Sequence, residues 1–384
     1  MPRPIQLQFI YNKSSTDKNY KNICDNLENS FRKIRDISNV TITKARHLDL
    51  REPPQYADIQ FHIDIPSFVS MEWSPINYFI TDTRSEQTEN WDSILTQFDR
   101  VIQNGMDGEQ KVDIANAVLE SIHIKGIVKK VPSIPPVLLE TCCPSISIIT
   151  LLKNRKQFTK LASHNMLLTD YPHAKIEWVV VEDSDNDNSS SHLIVPFAEK
   201  CPGITVTYIP LEGNYTIGEK RNIGIKRSEH DIILFMDDDD HYPVTSFRRR
   251  VAWLEYNKTK TILGCSMIAC YNLLNGVSSV HIPSWTNTTC SRISEATLTF
   301  RKSAWLERQF EHTNINEGSK WIEGREKLLM EIPPQQIIVA FTHSTNIRKD
   351  IGTIDNHSKP SCFWGFPREY LEFIHSLAGI SVEN

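Results

Sequence analysis

Four consecutive aspartates, Asp237–Asp240, directly follow the apolar segment Ile232–Met236. Such a segment is typical of a buried strand, so the carboxylates at its end are predicted to enter a site of low polarity. Like charges this close together cannot all stay ionised there without a cation. An all-oxygen donor set suits Mg²⁺, Mn²⁺ or Ca²⁺, and the first two commonly complete their shells with substrate phosphates. An exposed acidic turn is the alternative, but the position after an apolar strand favours a cation site with Mn²⁺ or Mg²⁺ as cofactor.

Charged side chains also stand at the ends of other apolar segments or on the helix before the acidic run: Arg155, Glu182, Asp183, Lys220 and Arg221. The basic groups could hold a diphosphate or a nucleobase, although a solvated helix face is the simpler reading of Lys220 and Arg221. The carboxylate of Asp183 could accept a hydrogen bond from a base N–H or a ribose hydroxyl. A metal ion, a diphosphate and a nucleoside together form the ligand that these residues imply.

The elements that must bring these side chains together alternate along the chain. The predicted strands are 146–152, 176–181, 204–209 and 231–236, and the predicted helices are 157–169, 193–200 (in part) and 218–228. An alternating β–α series with short links predicts a parallel sheet with helices on both faces. Ligands of such sheets bind beyond the carboxyl ends of the strands, where the charged clusters stand. The fold class predicted for this half of the chain is α/β.

A smaller α/β domain is predicted before residue 140. The stretch Val131–Pro144 contains four prolines and is predicted to be a connector, so the domains are 1–140, of unknown role, and 141–384. The predicted elements of the first domain are a helix at 20–37 and strands at 5–11, 39–45, 57–63 and 76–81.

Composition excludes several functional classes. The chain has 384 residues and a net charge of −5, which gives no basic surface for nucleic-acid binding. No apolar run approaches the ~18 residues of a membrane span, and the start of the chain does not resemble a signal peptide. We therefore expect no nucleic-acid partner, no membrane span and a cytoplasmic location.

Four segments resemble the motifs of family 2 glycosyltransferases with the GT-A fold: Ser147–Arg155, Glu177–Ser184, Gly218–Gly224 and Ile233–Pro243. The family pattern has an Asn-Arg pair after the first strand, a V-D-D-G-S turn, an A-R-N helix and an L-D-x-D-D strand end. The resemblance extends over residues 144–350 or so. Glu182 replaces the first aspartate of the turn, and Lys220 stands where a small residue is usual. These departures leave the nucleobase and the donor sugar open.

The resemblance implies roles for individual residues. It implies that donor binding involves Thr150, Arg155, Glu182, Asp183, Lys220, Arg221, Asp237 and Asp238, with Asp237 near the ribose, and that Asp239 and Asp240 hold the metal. With four aspartates in a row, Asp238 or Asp240 could take either role. A predicted strand at 337–341 is followed by His343, which resembles the late histidine that completes the metal shell in many of these enzymes; a structural histidine is the alternative.

Three glutamates compete for the role of the base that deprotonates the acceptor: Glu295, Glu317 and Glu323. The run Glu317–Trp321 resembles a sub-branch in which the glutamate of an E-G-x-x-aromatic sequence matches the family's E-D position, so Glu317 is favoured over Glu323. The positive end of a helix lowers the basicity of such a carboxylate, and only desolvation could raise its pKa again.

The function that the resemblance implies is metal-dependent, inverting transfer of a sugar from a nucleoside-diphosphate sugar to an acceptor hydroxyl. The acceptor, whether a glycan, a lipid or a protein, is not indicated. A sugar nucleotidyltransferase is a second reading, but the loop after the first strand lacks the glycines of a phosphate loop. A third reading is a degenerate, non-catalytic protein that binds a nucleotide sugar or a partner.

Overall fold

The computed structural model describes residues 5–11, 40–46, 59–63, 76–82, 100–104, 137–281, 283, 287–344, 346 and 364–380. The chain divides into two compact units, Met1–Ile134 and Pro135–Asn384. This division lies within the proline-rich stretch of the sequence.

The first unit contains a five-stranded sheet. Its strands are β1 (Ile5–Tyr11), β2 (Val40–Arg46), β3 (Ile59–Ile63), β4 (Ile76–Asp82) and β5 (Arg100–Asn104). They lie in the order β2-β1-β3-β4-β5, and all neighbouring strands are parallel. The structure contains the four strands that the sequence predicts, and β5 in addition. The predicted helix at 20–37 lies outside the described residues.

The described residues of the second unit form ten strands. They are β6 (Ile146–Leu152), β7 (Ile176–Glu182), β8 (Thr205–Pro210), β9 (Ile232–Phe235), β10 (Ile262–Gly264), β11 (Ile268–Asn272), β12 (Val277–His281), β13 (Thr299–Arg301), β14 (Leu329–Glu331) and β15 (Val339–Thr342). Seven of them form a central sheet in the order β14-β10-β13-β9-β6-β7-β8, and a three-stranded sheet has the order β12-β11-β15.

The central sheet as a whole is mixed, and the predicted parallel arrangement is confirmed for the strands from which it was predicted. The four strands that the sequence identifies, β9, β6, β7 and β8, are parallel to one another. Strand β13, however, runs antiparallel to both β9 and β10. The strands of the second half, β10, β13 and β14, have three residues each, which is too short for an alternating or continuous apolar pattern to stand out.

Helices cover both faces of the central sheet, as predicted. They are α1 (Thr159–Leu168), α2 (Ser191–Lys200), α3 (Ile217–Arg227), α4 (Ser246–Tyr256), α5 (Thr289–Arg292), α6 (Lys302–Glu307), α7 (Glu317–Ile322) and α8 (Arg368–Leu377). Helices α1, α2 and α4 pack in one core with Ile148 and Trp178, whereas α3, α6 and α7 pack in the other with Val179 and Phe235. Among the described residues, every helix is too short or too polar to cross a membrane.

The start of α3 is fixed by a capping box. The Thr216 hydroxyl accepts a hydrogen bond from the Glu219 amide, and the Glu219 carboxylate accepts one from the Thr216 amide. Such reciprocal bonds satisfy amides that a helix start leaves without partners. They hold the start of α3, from which Lys220 reaches the Leu152 carbonyl at the end of β6 and Asp183 after β7.

Candidate active site

The acidic run lies at the carboxyl end of β9 and is held by several bonds. Carboxylate oxygens of Asp237, Asp239 and Asp240 lie within 4.8 Å of one another. The Asp240 carboxylate accepts a hydrogen bond from the Phe341 amide (2.9 Å), and its carbonyl accepts one from the Asn165 amide group (2.8 Å). These bonds come from β15 and α1, so elements far apart in the sequence hold Asp240 in place.

The electrostatics of the acidic run fit a divalent cation. Burial and the neighbouring Asp239 charge raise the pKa of Asp237 to about 6, and burial, despite the nearby Arg155 charge, raises that of Asp238 to about 8. Burial also opposes ionisation of Asp239, but the Arg155 charge outweighs it and lowers that pKa to about 2. One oxygen of Asp238 is buried without a hydrogen-bond partner. A set of close, buried carboxylates with surplus negative charge suits Mn²⁺ or Mg²⁺.

Arg155 and His343 flank these carboxylates. The Arg155 guanidinium donates to Asp238 (Nη2 to Oδ1, 2.6 Å) and to Asp239. The His343 ring lies with Nε2 3.1 Å from Asp239 Oδ2, and it stacks on Phe158 with ring centroids 4.4 Å apart. The structure therefore brings Arg155, predicted for the donor, and His343, predicted for the metal, to the same aspartate.

Asp183 forms a second charged cluster, at the end of β7. Its carboxylate accepts from Lys220 Nζ at 2.6 Å, from Lys153 Nζ at 3.0 Å and from the Tyr215 amide at 3.1 Å. Burial opposes its ionisation, but the Lys220 hydrogen bond and charge outweigh burial and lower the pKa of Asp183. Lys153 was not among the residues predicted for the site. Its position directly after β6, next to Asn154 and Arg155, could have indicated it.

Two predicted donor residues point elsewhere. Thr150 is fully buried, and its hydroxyl accepts a hydrogen bond from the Trp178 indole (2.9 Å). The Glu182 carboxylate accepts from the Ser190 amide (3.0 Å) before α2 and from the Tyr208 hydroxyl (2.6 Å). Alternate residues of a strand face the same side, and the place of Thr150 in this alternation turns its side chain into the core. The Glu182 carboxylate is already hydrogen-bonded to Ser190 and Tyr208. The structure does not bring either side chain to the acidic run.

A third cluster joins Arg221 to two glutamates. Arg221 Nη2 lies 3.1 Å from Glu317 and 4.0 Å from Glu295, and its guanidinium lies 4.5 Å above the Phe235 ring. Burial raises the pKa of Glu317 to about 7, since the charge and hydrogen bond of Glu295 counteract the lowering effect of Arg221. The charges of Arg221 and Glu295 also act on Asp237, so this cluster adjoins the acidic run.

Glu323 does not join this cluster. It follows the last residue of α7, and its side chain is exposed. Glu317, at the other end of α7, is buried. Of the two glutamates predicted as catalytic, the structure places only Glu317 beside Arg221.

Close approach at Gly218 fixes the loop before Glu317. The Gly218 amide donates to the Thr313 carbonyl (3.1 Å), and a Cβ at position 218 would lie 1.8 Å from the Glu311 carbonyl oxygen. Only glycine fits there. The start of α3 therefore positions both Arg221 and the loop that leads to Glu317.

Residues 147–309 match the family model "Glycosyl transferase family 2". The chain carries a family 2 glycosyltransferase domain. The matched residues include β6, β7 and β9 with the charged clusters at their ends, and the domain has the mixed α/β architecture described above. Glu317 and His343 lie beyond the matched range. No curated protein sequence matches the chain.

Solved structures similar to the glycosyltransferase domain include S. aureus TarS and a mannosyltransferase. The crystal structure of TarS 1–349 in complex with UDP-GlcNAc is 17% identical to this chain in sequence. The match covers 53% of this chain and 60% of that chain, with a TM-score of 0.41. Mannosyltransferase PcManGT from Pyrobaculum calidifontis, in complex with GDP-Man and Mn²⁺, is 16% identical, with 60% of this chain and 66% of that chain covered and a TM-score of 0.42. The chain thus spans less than two thirds of these proteins' lengths.

Proposed function

We propose that this chain transfers a sugar from a nucleoside-diphosphate sugar to an acceptor hydroxyl. The observation that carries the proposal is the convergence, at one edge of the sheet of a family 2 glycosyltransferase domain, of three clustered aspartates with Arg155 and with the Arg221–glutamate cluster. The three aspartates and Arg155 suit the charged diphosphate end of the donor. The Arg221–glutamate cluster supplies Glu317, a carboxylate of raised pKa, for the acceptor hydroxyl.

Donor binding is proposed to involve both charged clusters at the strand ends. For the nucleoside, Asp183 offers a hydrogen-bond acceptor, and Lys153 and Lys220 offer two cationic hydrogen-bond donors. Asp237, Asp239 and Asp240, with His343 beside them, would hold Mn²⁺ or Mg²⁺. When bound, the cation supplies positive charge that stabilises the departing diphosphate.

The proton that the hydroxyl of the sugar acceptor loses is proposed to end on the carboxylate of Glu317. A base is most effective when its pKa lies near the working pH, and burial raises the pKa of Glu317 to about 7. Attack by the acceptor oxygen on the anomeric carbon breaks the bond to the diphosphate in one displacement, which inverts the configuration. Arg221, fixed over Phe235, keeps the carboxylate of Glu317 in place. The cytoplasmic location stays a prediction from the sequence.

The first test is a thermal-shift titration of the full chain with Mn²⁺ and UDP-N-acetylglucosamine, UDP-glucose, GDP-mannose and their free diphosphates. A ligand that binds only the folded state raises stability, by about 2.7 kcal/mol when it is present at about 100 times its Kd. We expect at least one Mn²⁺-dependent shift in the wild type. Asp239→Asn should lose it, and the exposed control Asp187→Asn should keep it.

The outcomes of this titration separate three cases. A Mn²⁺-dependent shift followed by release of free diphosphate supports the transferase. A shift without any turnover in the presence of varied acceptors would favour a non-catalytic nucleotide-sugar-binding protein. If no ligand shifts the wild type, or if Asp239→Asn responds like the wild type, the proposed donor site is wrong.

A further inference from the structure

Glu295 is fixed at the same sheet edge as the acidic run. It opens a short 3₁₀ turn, Glu295–Thr297, directly before β13. Around it, the Phe235 amide donates to the Leu298 carbonyl (3.0 Å), and the Tyr242 hydroxyl donates to the Ala296 carbonyl (3.2 Å). The backbone that carries Glu295 is therefore tied to the end of β9, from which the aspartates follow.

The carboxylate of Glu295 fills the space that a side chain at position 318 would occupy. A Cβ on Gly318 would lie 2.5 Å from Glu295 Cγ and 3.0 Å from its Oε1. The Gly318 amide donates to the same Oε1 at 3.0 Å. Because residue 318 has no side chain, Glu295 reaches in from another segment and lies against the first turn of α7, beside Glu317.

The guanidinium group of Arg221 lies close to both carboxylates. Arg221 Nη2 is 3.1 Å from Glu317 and 4.0 Å from Glu295, while Arg221 Nη1 is buried without a hydrogen-bond partner. The two carboxylates thus lie on the same guanidinium nitrogen, and Glu295 also binds the amide of Gly318, the residue after Glu317. The free donor of Arg221 and the surplus negative charge of the pair both indicate that a polar ligand group binds here.

The two glutamates differ in their access to solvent. The Glu295 side chain is 18% exposed, whereas that of Glu317 is 2% exposed. A substrate hydroxyl can therefore reach Glu295 more directly than Glu317. Glu317 is buried, with Arg221 and Glu295 beside it.

We propose that Glu295 is a second catalytic carboxylate, which contacts the acceptor hydroxyl and passes its proton to Glu317. This inference rests on the proposed function. The acceptor O–H bond breaks and its proton goes to the Glu295 carboxylate, while the acceptor oxygen forms a bond to the anomeric carbon. The diphosphate leaves with the electron pair of the bond that breaks. The proton then passes to the neighbouring carboxylate of Glu317, and Arg221 balances the remaining charge.

The test uses hydrolysis of the donor, in which water takes the place of the unidentified acceptor. The probe is whichever of UDP-N-acetylglucosamine, UDP-glucose and GDP-mannose the wild type cleaves in the presence of Mn²⁺. In Glu295→Gln the amide oxygen can still accept from the Gly318 amide, so the fold of this region is kept while the proton acceptor is lost. Glu307→Gln, an exposed glutamate at the end of α6, is the matched control.

We expect Glu295→Gln to lower the hydrolysis rate constant about 100-fold or more, as loss of a general base does, with the Kd for the donor within about threefold of the wild type. Glu307→Gln should behave as the wild type. Glu295→Asp retains a carboxylate and should be at least about tenfold faster than Glu295→Gln. Calorimetric donor binding by each variant reports whether it is folded.

Several results would overturn the relay. A loss of less than about tenfold in Glu295→Gln, with Glu317→Gln strongly impaired, would mean that Glu317 contacts the acceptor directly. An aspartate variant as slow as the glutamine variant, or a rate loss that is matched by an equal loss of donor affinity, would assign Glu295 a structural role. A wild type that binds none of the three donors would refute the proposed function itself.

Discussion

Glu317→Gln is predicted to stabilise the folded chain at alkaline pH while it impairs transfer. Burial raises the pKa of Glu317 from its ordinary value of 4.5 to about 7. Between these two pH values the folded state keeps a proton that the unfolded state releases, so this group makes stability fall as pH rises. Above about pH 7 the full penalty is present, and it corresponds to about 3 kcal/mol at 1.36 kcal/mol per pKa unit.

Glutamine imitates the protonated carboxyl and carries no such penalty. Its amide oxygen can still accept a hydrogen bond from Arg221, so the variant keeps the pairing that holds α3 against α7. The stabilising effect of Glu317→Gln on the free energy of unfolding should therefore grow by about 2–3 kcal/mol between about pH 5 and about pH 8. Glu307→Gln, whose side chain is exposed, should show no such growth.

The assay is urea unfolding of the full chain without ligand at both pH values, with tryptophan fluorescence as the signal. Buried Trp305 and Trp321 report on the region of α6 and α7. The decisive quantity is the difference between variant and wild type at the two pH values, because effects of pH on other groups cancel in it. A difference that stays constant or becomes smaller at the higher pH would refute the desolvation argument for Glu317.

Three further predictions test the geometry around this site. Donor hydrolysis by the wild type should rise with pH, with a midpoint near 7, as Glu317 loses its proton; a rate that is flat from about pH 5 to about pH 8 would exclude Glu317 as the group that limits the reaction. Gly218→Ala places a Cβ 1.8 Å from the Glu311 carbonyl oxygen; we expect a loss of about 1–3 kcal/mol in urea unfolding and impaired hydrolysis, and wild-type stability would show that α3 does not meet this segment. Buried Arg250 donates to Thr299 Oγ1 (2.7 Å) and to the carbonyls of Phe235 (2.9 Å) and Leu298 (2.7 Å); Arg250→Met should cost about 3–5 kcal/mol, whereas Arg249→Met, in the same helix, should cost less than about 1 kcal/mol.

The sequence by itself determined the parallel half of the central sheet and the position of its charged edge. Strands β6, β7 and β9 are buried on both faces, so each appears as a nearly continuous apolar run that ends at charged residues. These signals are local, since a few consecutive residues carry each of them. The place of Asp237–Asp240 at a strand end could be predicted for the same reason.

Only the tertiary structure decided which charged groups meet. Arg155 reaches Asp238 and Asp239 across more than eighty residues of sequence, and nothing in the local pattern of either segment indicates the pair. Thr150 turns into the core although its neighbours end at the site, because strand alternation and its bond to Trp178 fix its side.

The cluster of Arg221 with Glu295 and Glu317 depended on tertiary structure even more. Strand β13, with three residues, is placed by its antiparallel pairing with β9 and not by a pattern of its own. That pairing sets Glu295 beside Gly318, and the missing side chain of the glycine leaves the space that Glu295 fills. Apolar periodicity identifies buried strands because burial acts on each segment separately. Which of Glu295, Glu317 and Glu323 lie beside Arg221 depends on distances between segments, which packing alone determines.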